Sequence, residues 1–261
     1  MKTTLHTQRL TLIFLLLLCL TAGSLKAQNY GNDLLDKPRT FSVNPFRVLK
    51  VNSGIIVNLI PSEENKIVIY GDRYNGVIIK EKGATLKLKI RLSELVNFDQ
   101  PYVDLYYSED LEGIKIHQGA LVEALRPLKS EKLILKTHEG SEFSGEIMGT
   151  ELISKVHTGS LITLSGKVDK HFLKIRTGGV CKAQDLITDQ SNVAVFAGGT
   201  GKVYSENKVS ARVSFGGYIH LYGSPKEIHA SRNFGGHIQG TRSSDKTHNK
   251  RRRSRIYRYS N

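Results

Sequence analysis

The chain has 261 residues, with 38 Lys+Arg against 24 Asp+Glu and a formal net charge of +14. Hydrophobic residues at 39% and charged residues at 24% allow a packed core and exclude wholesale disorder. With 24 Gly, 6 Pro and no Trp, the balance favours short strands and tight turns over helical bundles. Two cysteines, Cys19 and Cys181, exclude a disulfide scaffold and any multi-cysteine zinc or iron–sulfur centre.

Lys2 and Arg9 flank the start of an apolar run, Leu10–Leu20, and the small residues Ala22, Gly23, Ser24 and Ala27 follow it. This layout predicts a secretory signal peptide over residues 1–27, cut after Ala27. The run falls short of the roughly 20 apolar residues of a spanning helix. A lipoprotein signal is disfavoured, because Leu18 stands before Cys19 where a small residue is expected. The expected location is the periplasm, the outer surface or the medium, with no transmembrane segment in the mature chain. The peptide removes three cations and no acid, leaving +11, of which the last twenty residues hold +7. Much of the basicity is therefore a tail.

Residues 28–45 read as an N-terminal leader. From Phe46 to Ile116 the chain is strand-rich, with runs at Arg47–Val51, Ile55–Ile60, Lys66–Tyr70, Val77–Lys80, Leu86–Leu92 and Val103–Tyr107. Asn52-Ser-Gly54, Asn75-Gly76 and Lys82-Gly83 punctuate them as turns. From there a repeat takes over. Gly119, Gly140, Gly159, Gly178, Gly198, Gly216 and Gly235 recur at intervals of 18 to 21 residues. Alternating apolar residues precede each one (Ile114 and Ile116, Leu173 and Ile175, Ala211 and Val213) and follow it (Val122 and Ala124, Ile162 and Leu164, Ile219 and Leu221). The period is two, so these are strands, and each unit buries its inner face only by stacking on the next. The expected fold is all-β: a β-solenoid of about 19 residues per rung, with the seven Gly as structural turns at one corner. Cys181 falls in the inward column, as a small buried hydrophobe. Residues 241–261 read as a basic disordered tail.

Three segments carry a family resemblance. Phe46-Arg-Val-Leu-Lys-Val-Asn-Ser-Gly54-Ile-Ile-Val57, Lys66-Ile-Val-Ile-Tyr-Gly71-Asp72 and Gly83-Ala-Thr-Leu-Lys-Leu-Lys-Ile90 resemble the opening of the auto-transporter adhesin head GIN domain. Phe215-Gly-Gly-Tyr-Ile-His-Leu-Tyr-Gly223-Ser-Pro225 is similar to that family's final rungs. The resemblance spans residues 46–240. It implies a right-handed single-stranded parallel β-helix, export from a bacterial cell and no catalytic residue to carry over. The early corners read His-x-Gly where the family favours Ser-Gly.

Two outward columns carry charge. Four residues before the corner Gly stand Lys115, Lys136, Lys155, Lys174 and Arg212; two before it stand His117, His138, His157 and Arg176. On stacked rungs these form a stripe about 4.8 Å per step. It reads either as an anion-binding site, gaining charge as the imidazoles protonate toward pH 5.5, or as a lysine face that keeps a flat sheet soluble. No metal or other cofactor is expected, because no carboxylate or thiol completes the imidazole column and parallel rings share no centre. The tail residues Lys250, Arg251, Arg252, Arg253, Arg255 and Arg258 are a second candidate for anions.

Function divides into three classes. The first is an exported envelope or surface binding and adhesion module without catalytic activity, with acidic polysaccharide, lipopolysaccharide or another surface polyanion as partner. The second is a structural envelope protein, a homo-oligomer associating through solenoid edges. The third, a polysaccharide-processing enzyme, lacks the outer carboxylate column that such chemistry needs.

Overall fold

A computed structural model describes residues 38–71, 76–91, 93, 100–240 and 255–258, the last segment as backbone. The expected signal peptide, 1–27, and leader residues 28–37 lie outside the described residues, as do 241–254 and 259–261 of the tail. The described residues hold strands and no α-helix.

Corner and core explain the architecture. At each of the seven repeat corners two successive residues have positive φ, as at Gln118 (58°) and Gly119 (69°) or Thr158 (50°) and Gly159 (67°). Two left-handed residues in a row reverse the chain tightly. Ser53 (65°) and Gly54 (70°) make an eighth such corner upstream. The corners are hydrogen-bonded to one another: Gly119 N–H donates to Glu139 O at 3.0 Å, and Gly140 N–H to Thr158 O at 3.1 Å. The ladder of one face thus continues through the bend into the next.

Three faces result. On the first, β2 (Val48–Val51), β8 (Gly113–Ile116), β10 (Leu128–Thr137), β11 (Glu142–His157), β12 (Leu161–Arg176), β13 (Val180–Phe196), β15 (Lys208–Ser214) and β17 (Glu227–Asn233) pair in parallel. On the second, β3 (Ile56–Pro61), β9 (Leu121–Ala124), the leading ends of β11, β12 and β13, then β14 (Thr200–Tyr204), β16 (Tyr218–Tyr222) and β18 (His237–Gly240) do the same. The long strands β11, β12 and β13 bend round the corners, and their middle parts make the third face. Alternation drives Ile114, Ile116, Leu135, Leu173, Ile175, Val193 and Val213 inward, all at most 2% exposed. Each such side chain contributes about 1.5–3 kcal/mol. Cys181 lies in the same core, fully buried beside Val122, Phe143, Ile162 and Ile219 in the inward column, with its thiol pushed up to about 12 by burial.

The N-terminal rungs are stacked out of chain order. The rung β2–β3 is sandwiched between β8–β9 on one side and, on the other, β6 (Thr85–Ile90) and β7 (Tyr102–Tyr107). Beyond that rung the pairing turns antiparallel: β5 (Val77–Lys82) covers β6, β4 (Lys66–Tyr70) covers β7, and β1 (Arg39–Ser42) covers β4. At the other end β19 (Arg255–Arg258), the only described part of the tail, lies antiparallel on β17.

Four corners carry a second glycine, Gly179, Gly199, Gly217 and Gly236, and this one answers to space. A Cβ on Gly217 would sit 2.5 Å from Val195 Cγ1 and 3.1 Å from Gly199 O. Beside Gly216 (φ 82°) nothing lies within 4 Å, so only the backbone conformation requires glycine there. Gly217→Ala is therefore expected to cost about 1–3 kcal/mol by overpacking. Gly216→Asn, which tolerates positive φ, should cost well under about 1 kcal/mol. Urea midpoints of the two variants check this; equal losses would contradict the division of labour.

One core histidine sets an acid limit. His171 is 1% exposed, with Nε2 3.0 Å from Ser154 Oγ and no partner at Nδ1. Burial lowers its pKa to about 4. Between pH 4 and the unfolded value near 6.5 the unfolded chain binds more protons, so its contribution is intact above that window and is lost as pH falls through it. The urea midpoint should drop from pH 7.5 to 4.5, and less in His171→Gln, which keeps a polar partner for Ser154 without the charge. An equal drop in both proteins would remove His171 from the account.

Candidate anion-binding corner

The register of the first face decides which charges meet. Lys50 pairs with Lys87 and Lys115, Lys115 with Lys136, Lys136 with Lys155, and Lys155 with Lys174. Six lysines therefore occupy six consecutive rungs, about 4.8 Å apart by strand spacing. The column passes through Ala194 and continues at Arg212. Lys115, Lys136 and Lys155 are half-buried; Lys174, Arg176 and Arg212 are exposed. Among the described residues none of these eight cations is in an ion pair with a carboxylate.

The imidazole column stands beside it. His117 and His138 stack at 4.9 Å and His138 and His157 at 4.5 Å, each pair within 12° of parallel. All three pKa values are lowered, first by burial. His157 is pushed down to about 4 by burial, then by His138, Arg176, Lys174 and Lys155. Glu139 works against the shift at His117 and His138. The sequence expects charge to be gained as pH falls toward 5.5; burial moves that gain lower. Lys136 is lowered as well, by burial and then by Lys155 and Lys115. Among the described residues no three His, Cys, Asp or Glu side chains are gathered to hold a metal ion.

The corner glycines Gly119, Gly140, Gly159, Gly178, Gly198, Gly216 and Gly235 all have positive φ, which brings both columns to one edge. Of the basic tail, Lys250, Arg251, Arg252 and Arg253 lie outside the described residues, and Arg255 and Arg258 bound β19, described as backbone. Two members of the lysine column escape the sequence reading. Lys50 stands four residues before Gly54, the offset that marks the others. Lys87 has no corner glycine after it, so only the register finds it.

A third feature lies one residue before the corner Gly. In the last rungs Phe215 and Phe234 occupy that position and Phe196 the imidazole column. Phe196 meets Phe215 edge-on at 5.0 Å, and Phe215 stacks on Phe234 at 4.9 Å. They are 48%, 52% and 77% exposed. Elsewhere Asp104 accepts from Tyr70 Oη and Asn58 Nδ2, both at 2.9 Å.

Comparison with solved structures finds this fold in bacterial proteins. A protein of Bacteroides fragilis titled a putative adhesin superposes with TM-score 0.71 at 18% identity, over 78% of this chain and 96% of that one. One of Parabacteroides distasonis titled a putative lipid binding protein gives 0.61 at 15% identity, over 79% and 96%. A putative adhesin of Parabacteroides merdae gives 0.59 at 18% identity, over 79% and 96%. No curated protein matches the chain. A family profile described as "putative auto-transporter adhesin, head GIN domain" matches residues 45–225, and the chain belongs to that family.

Proposed function

We propose that this chain is an exported, non-catalytic binding module of the bacterial envelope or surface, and that its first-face corner holds polyanions such as acidic polysaccharide or lipopolysaccharide phosphate. One observation carries the reading: six lysines in register on consecutive rungs, without an ion pair to a described carboxylate. Like charges at that spacing repel, and a ligand of regularly spaced anions relieves the repulsion along its whole length. A lysine face that serves solubility needs no such alignment. The solved proteins of this fold titled for adhesion and for lipid binding fit a binding role. End-to-end assembly finds less support, because β5, β4, β1 and β19 cover strand edges at the two ends of the stack.

Heparin binding by the full chain tests the proposal. Lys136→Glu with Lys155→Glu is expected to weaken it by about tenfold or more, an effect of some 1.4 kcal/mol per decade. Replacing Arg251, Arg252 and Arg253 by Ser should weaken it less. Affinity should fall with salt, since the Debye length is about 8 Å at physiological ionic strength. Between pH 7.5 and 5.5 affinity should rise only modestly, because burial and neighbouring cations hold the imidazoles down. If the tail variant alone abolishes binding, the tail is the anion site and the ladder a solvated face. If neither variant matters, the partner is not a polyanion.

A further inference from the structure

The geometry points to a membrane-docking ridge at the C-terminal end of the same corner: Phe196, Phe215 and Phe234 enter the interface of an anionic lipid bilayer while Lys174, Arg176 and Arg212 hold its phosphates. This assignment rests on the polyanion reading for its cations and adds the partner that the aromatic residues fit.

Three independent observations meet there. The first is exposure. Phe234 is 77% exposed, Phe215 52% and Phe196 48%, and the rings are in contact with one another along the edge. Tyr218, 47% exposed and stacked on His237 at 5.1 Å, continues the aromatic surface onto the second face. Phe side chains carry no hydrogen-bonding group to orient a sugar, whereas an apolar tip backed by an amphipathic ring suits the boundary between headgroups and acyl chains.

The second is strain. Phe215 has φ 59° and Phe234 φ 49°, a left-handed conformation that bulky side chains rarely adopt. The equivalent position in the other rungs holds Ser53, Gln118, Glu139, Thr158, Thr177 or Ala197, none of them aromatic. Glycine or asparagine would sit there with less strain, so these two rings are held, strained and outward, where they contribute nothing to the core.

The third is charge. From four residues before the corner Gly to five after it, the last five rungs (155–164, 174–183, 194–203, 212–221 and 231–240) contain no Asp or Glu. They contain Lys155, Lys174, Arg176, Lys182, Lys202, Arg212 and Arg232. The carboxylates of this edge, Glu123, Glu139 and Glu142, all belong to earlier rungs. An apolar ridge whose corner segments carry cations and no carboxylate is complementary to an acidic headgroup layer, where each cation near the surface adds to the attraction.

The test is co-sedimentation of the exported chain, residues 28–261, with vesicles of phosphatidylcholine, with and without phosphatidylglycerol. Wild-type protein should sediment with the anionic vesicles and not with the neutral ones. Phe215→Asn with Phe234→Asn should reduce vesicle binding by about tenfold or more, leave heparin binding within about twofold, and leave the thermal midpoint unchanged or higher, because Asn relieves the left-handed strain. Because the chain contains no Trp, Phe234→Trp supplies a single reporter whose emission should shift to the blue with anionic vesicles and not with heparin. The two readings fail separately: a ladder variant (Lys136→Glu with Lys155→Glu) that keeps heparin binding sinks the polyanion reading, while vesicle binding that depends on Phe215 and Phe234 still upholds the ridge. Undiminished vesicle binding by the Asn variant overturns the ridge, as does an unshifted Trp in vesicle-bound protein. So does loss of self-association in the Asn variant with vesicle binding intact, which would make the ridge a contact between copies.

Discussion

The in-register stacking of rungs through a left-handed two-residue corner is the constraint from which the rest of this structure follows. Each corner needs positive φ twice, and its N–H donates to the carbonyl of the next corner, as between Gly159 and Thr177 at 3.1 Å. A corner so fixed cannot slip by one residue without turning every inward side chain to solvent. The same rigidity accommodates Thr, Glu and Phe in a conformation they disfavour, because the flanking ladders leave them no alternative.

Register then converts a sequence interval into a surface. A residue type repeated every 19 or so positions becomes a line of identical groups about 4.8 Å apart. Inward this gives a core of stacked Ile, Val and Leu, into which polar pairs are fitted between rungs, as Ser160 Oγ with Thr137 Oγ1 at 2.9 Å. Outward it gives lines of ammonium groups, imidazoles and aromatic rings. The imidazoles show how the neighbours couple: burial lowers each pKa, and adjacent cations lower that of His157 further. Along one edge the character changes from cationic to aromatic, so a single corner offers two chemistries in sequence.

The solenoid is legible in the sequence because glycine marks each corner from Gly119 to Gly235. The outward placement of Lys115, Lys136, Lys155, Lys174 and Arg212 follows from counting back from that glycine. The N-terminal stacking is not legible. Gly54 and Gly119 are neighbours in the ladder yet 65 residues apart, and no local signal says that the rung β6–β7 inserts on the far side of β2–β3. Lys87 is hidden for that reason. Strand runs at Lys66–Tyr70 and Val77–Lys80 can be read as strands, but not that they pair antiparallel, since alternation carries no direction. Phe215 and Phe234 escape because their position, one residue before the glycine, is a turn residue whose side-chain direction depends on the corner's φ values. The depth of the histidine shift is a property of burial, which no spacing reveals.

The register of the ladder is open to direct measurement by cross-linking. With Cys19 and Cys181 replaced by Ser, Lys136→Cys with Lys155→Cys places two thiols on adjacent rungs. Their Cα atoms should be about 5 Å apart, within disulfide range, whereas Lys136→Cys with Lys174→Cys spans two rungs, roughly 10 Å, outside it. Mild oxidation should close the first pair rapidly within one chain and leave the second open. Closure of the second pair in preference to the first would contradict the register, and with it the line of charge and aromatic side chains on which the function proposed for this corner depends.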